Sequence, residues 1–230
     1  MASYFSNEAM KFLRGLKRNN DRVWFEARRE VFDRELKTPM LAVIGEVNEA
    51  MADFAPEHVR PAPRIMMRIY RDIRFSPNKQ PYKTHVSAWW VRDGLEKTSG
   101  AGFYFHVSPE EIMIAAGAYM PEREQLLAIR RYLAEHYDEF RHVMKGQKLR
   151  SLMMEDDGPA LTRAPKGFPE DHPAIDLLKK KQWAVWARLP GERALKATLV
   201  KDVVKRFEVT APMINILNAP LVGKPKRVMF

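Results

Sequence analysis

The chain has 230 residues, of which 46% are hydrophobic and 30% charged, enough to bury a core without covalent staples. It contains no cysteine, which excludes disulfides, thiol catalysis and thiolate metal sites and fits a reducing cytoplasm. Its 39 Lys and Arg against 29 Asp and Glu leave a net charge of +10, a field that draws small anions and nucleic acid.

No apolar run nears the roughly 20 residues needed to span a bilayer. The opening MASYFSNEAMKFLRGLKRNN is broken by charge too early for a signal-peptide core, so a membrane is not an expected partner. The first helix is expected in SNEAMKFLRGL, capped by Ser6 or Asn7, with Phe5, Ala9, Phe12, Leu13 and Leu16 on one face. A second, NNDRVWFEARREVFDREL, is capped by Asn20 or Asp21 and buries Trp24, Phe25, Val31, Phe32 and Leu36. Pro39 restarts or kinks it, and MLAVIGEVNEAMADF carries helix to about residue 54. APEHVRPAPR is a proline-rich connector.

From Arg64 the period changes to two. RIMMRIYRDI, HVSAWWVRD, SGAGFYFHVSP and EEIMIAAGAYM read as four strands of an antiparallel meander. PEREQLLAIRRYLAEHYDEFRHVM is amphipathic helix, with Pro121 suited to its first turn. A loop follows, then a short helix in AIDLLKKK, a last strand in QWAVWARL, and a closing helix to Gly223 bent near Pro212. The expected fold is one α+β domain over residues 1–230, a meander of about four to five strands packed on N-terminal, middle and C-terminal helices.

The stretch RIYRDIRFSPNKQPYKTH concentrates charge: Arg68, Arg71 and Arg74 recur every three residues, followed by Lys79, Lys83 and His85, with Asp72 alone among them. Arginine forks match phosphate and carboxylate, lysine adds a point charge, and Pro77 and Pro81 stiffen the turn. Strand alternation puts Arg68 with Tyr70, His85 with Ser87, and Tyr104 with His106 on shared faces, converging if the register allows. The ligand-binding set is therefore Arg68, Tyr70, Arg71, Arg74, Lys79 and Lys83, with His85 and His106 as candidate proton carriers. His58, His136 and His142 read as connector or helix-surface residues. Phosphate loops, dinucleotide fingerprints, H-E-x-x-H and nucleophile elbows are absent. The acids Glu155, Asp156 and Asp157 sit in a loop without histidines, so no metal site is expected. Of Trp89 and Trp90, one is expected in the core and one at the surface.

FLRGLKRNNDRVWFEARREVFD, RIYRDIRFSPNKQPYKTH, GFYFHVSPEE, AGAYMPEREQLLAIR and APKGFPEDHPAIDLLKKK, in that order, resemble the bacterial and fungal family known as domain of unknown function 2461. The resemblance implies a single full-length domain in a cytoplasmic setting and carries over no catalytic residue. Asn78 departs from it: the resemblance implies an F-S-x-D-K pattern with an acid there, which weakens that position as an essential acid or metal ligand. Three blocks become candidates for one site: Asn19, Asn20 and Arg22 at a helix start, the basic hairpin, and KGFPEDHP with Asp171 and His172. The expected function is binding of a small phosphate-bearing anion, with hydrolysis or transfer on it as the reaction class. A nucleic-acid module using the same basic surface and a structural or protein-partner role are the rivals. The sequence names neither a cofactor nor an oligomeric state.

Overall fold

The computed structural model describes residues 3–95 and 100–222. Ser99, where the third strand was expected to begin, and Gly223, the expected end of the last helix, lie outside them. The fold is α+β, with an antiparallel five-stranded sheet among the described residues.

Helix α1 (Asn7–Arg18) is capped by Ser6, whose hydroxyl accepts from the Ala9 amide, and buries Ala9, Phe12, Leu13 and Leu16. The expected second helix is broken. Helix α2 (Arg22–Glu26), capped by Asp21, ends at Ala27, and α3 (Arg29–Phe32) follows Arg28, whose backbone leaves helical geometry. A π-helical turn (Asp33–Lys37) then leads into α4 (Thr38–Met51). The wide turn stands just before Pro39, which has no N–H to give and whose ring crowds the carbonyl four residues back. Helix α5 (Ala62–Ile65) comes next.

Here the structure corrects the expected strand from Arg64. Its residues form the α5 turn and then, among the described residues, pair backbone to backbone with the following chain at isolated bridges, Met66 to Ala88 and Tyr70 to Tyr82, and not in a ladder. The alternation is present in the sequence, but prolines at 61, 63, 77 and 81 withhold N–H donors on both sides of a ladder. The true strands are β1 (Val86–Val91), β2 (Gly102–Val107), β3 (Glu111–Ala118), β4 (Met154–Glu155) and β5 (Trp183–Pro190). They are ordered β1-β2-β3-β5-β4. Between β3 and β4 run α6 (Arg123–Glu135), α7 (Tyr137–Lys145) and α8 (Gln147–Leu152). Thus the single helix expected from Pro121 is interrupted at His136. After β4 come α9 (Ile175–Lys179), β5 and α10 (Leu199–Asn218), which carries Pro212 inside it.

The chain forms two compact units, one from Met1–Trp90, Tyr104–Ile114 and Arg188–Lys205, the other from Val91–Phe103, Ala115–Ala187 and Arg206–Phe230. The first has an aromatic core in which Phe12 meets Trp24, Phe25 and Phe32, and Phe25 stacks on Tyr82 with ring centroids 4.2 Å apart. In the second, Phe103 meets Phe207 at 5.0 Å, and the Asn218 amide brackets Ala101 by accepting from its N–H and donating to its carbonyl. Gly117 has φ of +145°, and a Cβ there would lie 2.2 Å from the Trp183 carbonyl oxygen, so the close passage of β5 requires glycine. No helix among the described residues is long and apolar enough to cross a membrane.

Candidate functional site

The strand period sorts β1, β2 and β3 into two faces. Phe105 and Val107 on β2, and Ile112 and Ile114 on β3, are fully buried. Ser87, Trp89, Tyr104, His106, Glu111 and Met113 have the opposite parity and make a second face in the first unit. His85, one residue before β1, joins them.

His106 is held on both nitrogens. Its Nδ1 lies 3.1 Å from the Tyr104 hydroxyl, and its Nε2 lies 3.5 Å from Glu111 Oε1. The other Glu111 oxygen is 3.3 Å from Arg188 Nε. With a carboxylate facing Nε2, the favoured tautomer carries its proton there, and Nδ1 accepts from Tyr104. Burial pushes the Tyr104 hydroxyl up to about 12, so it keeps its proton and acts as a donor. Ser87, 1% exposed, lies within reach of the Tyr104 hydroxyl, yet its own hydroxyl meets no partner at good hydrogen-bond geometry among the described residues.

The serine that follows β2 does different work. Ser108 Oγ accepts from the amides of Glu110 and Glu111 and donates to the Glu111 carbonyl. It builds the tight β2–β3 connection that sets the Glu111 carboxylate beside His106.

His85 stacks on His106 with centroids 4.5 Å apart and planes 23° off parallel. Neither of its nitrogens has a hydrogen bond among the described residues, and its ring is half-exposed. Both imidazoles are driven neutral. Burial, then the neighbouring His106 and Lys83, lowers His85 to about 4, and burial, then Arg188, lowers His106 to about 4. The Glu111 carboxylate would raise His106, but Arg188 shares its charge, so desolvation wins. The result is one scaffolded imidazole and one unengaged imidazole, both neutral at neutral pH, with only His85 keeping an open nitrogen to take a proton.

The hairpin residues stand elsewhere. Arg71 donates to the Gln80 carbonyl and reaches Ser76 Oγ at 3.5 Å, Arg74 makes a two-pronged bond to Asp72, and Lys79 donates to the Ile73 carbonyl. The Asp72 carboxyl is held down at about 2 by the Arg74 side chain and then by its amide. Tyr70 accepts from Arg29, itself bonded to Glu26. Arg68 is exposed, and Lys83 acts electrostatically on His85. Of the six expected ligand-binding residues, Lys83 is thus the one tied to the imidazole face.

In the helix-start block, Asn19 bonds the Gly15 carbonyl, Asp21 caps α2, and Asn20 reaches across the unit. Its amide donates to the Tyr82 carbonyl and accepts from the Tyr82 N–H, both at 3.0 Å, standing in for an adjacent strand. The KGFPEDHP block belongs to the other unit. There His172 Nδ1 accepts from the Ala174 amide and closes a local turn. Glu155 pairs with Lys180 and Asp156 with Gln182, and no group of three or more metal-ligating side chains occurs among the described residues. His58 sits in a connector turn as expected but is wholly buried. Trp90 is in the core, bonded to Asn48, while Trp89 is half-exposed.

A family model for conserved hypothetical proteins matches residues 8–215. The chain belongs to the DUF2461 family. No curated protein and no solved structure matches it. Every residue of the imidazole face, from His85 to Arg188, falls inside the span matched by the DUF2461 model.

Glu111 and Arg188 were missed by sequence reasoning. A signal existed for part of the set: the triplet His-Val-Ser occurs twice, at 85–87 and 106–108. On strands this spacing puts each histidine and its serine on one face. Arg188 left no such mark, because it depends on β5 returning beside β3.

Proposed function

We propose that the chain binds a small phosphate-bearing anion over the imidazole face and hydrolyses or transfers its phosphoryl or phosphodiester group, with His85 carrying the proton. The observation that carries this reading is the contrast within the stacked pair: His106 is fixed by Tyr104 and Glu111, while His85 keeps both nitrogens for something else. Structural histidines are ordinarily satisfied, so an unengaged imidazole on a prepared support is what a proton carrier requires.

A value of about 4 leaves His85 neutral but weakly basic at neutral pH. A bound phosphate dianion would offset the repulsion from Lys83 and raise His85 toward the working range, so binding should draw in a proton. In hydrolysis, His85 takes a proton from water as the water oxygen bonds to phosphorus. The phosphorus–oxygen ester bond breaks, and the imidazolium returns the proton to the leaving oxygen. Tyr104 and Glu111 act through His106 as positioning residues.

The test is a histidine-resolved NMR titration with inorganic phosphate, pyrophosphate and bis-p-nitrophenyl phosphate, alongside thermal shift. A ligand at about 100 times its Kd adds about 2.7 kcal/mol, a rise of roughly 5–10 °C for a chain of this length. His85 should titrate higher with ligand present. His85→Gln should abolish the response, and Tyr104→Phe should weaken it. A response unchanged in His85→Gln, or none to any phosphate compound, overturns the proposal.

A further inference from the structure

The loop between the bridged Tyr70 and Tyr82 presents a feature the imidazole face does not use. Phe75, at its tip, is 93% exposed. A large apolar ring held in water is unfavourable, and a floppy loop would fold it back against the surface. This loop is not built to be floppy. No glycine occurs between Gly45 and Gly94, and Pro77 and Pro81 fix two of its φ angles. Arg71 ties the near side of the loop to Gln80, Lys79 ties the far side to Ile73, and Asn78 accepts from the Gln80 amide. Those bonds hold Phe75 outward.

Charge surrounds the ring. Five cations and one acid lie between residues 68 and 83. The Arg74 guanidinium stands 5.7 Å from the Phe75 ring centroid, Lys79 is exposed, and Arg68 is exposed at the base.

We infer that this loop is a contact finger for single-stranded nucleic acid: Phe75 stacks on an unpaired base, and Arg68, Arg74 and Lys79 meet the flanking phosphates. An exposed ring beside a basic track is what sequence-tolerant binding of single strands uses, because every base offers a π-face. A lipid surface fits less well. Interfacial anchoring needs a broad apolar face, and one ring amid five cations does not supply it. The inference stands on the loop alone and does not rest on the chemistry of His85.

The experiment measures fluorescence anisotropy of labelled single strands of about 15 nucleotides, DNA and RNA, and of a matched duplex, on the full chain between about 50 and about 200 mM salt. Phosphatidylcholine vesicles containing phosphatidylserine are run in parallel. Single strands should bind more tightly than duplex. Phe75→Ala should weaken that binding about 10-fold and leave its salt slope unchanged, while Phe75→Trp should restore it. Arg68→Gln and Lys79→Gln should each lower the slope by about 0.7. Phe75 has no core role, so Phe75→Ala should melt as the wild type does and respond to pyrophosphate as the wild type does, which separates failure here from failure at the imidazole face. The inference falls if Phe75→Ala binds single strands like the wild type, if single strands do not bind, or if duplex binds equally well. It also falls if vesicles alone bind in a Phe75-dependent way.

Discussion

The basic loop and the imidazole face handle polarity in opposite ways. The loop has the denser formal charge, yet Arg71, Arg74 and Lys79 donate to groups within a few residues of themselves. Much of its polarity builds a shape, and only the donors left over on Arg74 and Lys79 can meet a ligand. The face has few charges, and its shape, set by four strand segments and one tight turn, leaves an imidazole unengaged. Charge density along a sequence therefore measures something different from bonding capacity left over after folding, and the second quantity is what a site needs.

The sharpest way to break this contrast is pH. Both stacked histidines titrate near 4 in the fold against an ordinary 6.5. Between those values the unfolded chain binds more protons, so stability is full above about 6.5 and falls as pH drops toward about 4. The loss is at most on the order of 3 kcal/mol per histidine. Chemical denaturation from pH 7 to 4 should show this steep decline, and His85→Gln combined with His106→Gln should flatten it. A wild-type profile level across that window would mean the pair is not held neutral.

How far the sequence revealed these regions depends on the range of the interactions. Helix starts were legible from local signals, since Ser6, Asp21 and Pro39 each act within a turn or two of their own position, but the breaks at Arg28 and His136 and the α5 turn were not. The strands at 86–91, 102–107 and 111–118 were legible because alternation and burial agree. The expected strand from Arg64 failed because alternation says nothing about whether a partner has N–H groups to offer. The face was half legible. Ser87, Tyr104 and His106 follow from parity, and their convergence follows from register, which parity does not fix. Arg188 lies over 75 residues on from Glu111 in sequence, and only the inserted order of β5 beside β3 joins them.

A second test bears on what docks the hairpin base. Asn20→Ala removes both hydrogen bonds to the backbone of Tyr82, a residue 2% exposed. Leaving a buried N–H and carbonyl unmatched should cost about 2–3 kcal/mol, read as a lower denaturation midpoint. Asn20→Asp should recover the acceptor bond only and fall between the two. If Asn20→Ala melts like the wild type, the side chain is not the surrogate strand its geometry describes.

The smallest expected effect separates the two arginines of the loop. Arg71 is half-buried and bonds a backbone carbonyl across the loop, so Arg71→Met should lower stability by about 1 kcal/mol and speed amide exchange at the Gln80 N–H. Arg74 makes the better-looking contact, two short bonds to Asp72, but both partners stand in solvent. Water and salt screen such a pair, and fixing two exposed side chains offsets most of its attraction. Arg74→Met should therefore leave the melting temperature unchanged within error while still weakening any phosphate contact the loop makes. If instead Arg74→Met destabilises the chain as much as Arg71→Met, the Asp72 pair organises the tip, and the outward pose of Phe75 depends on it.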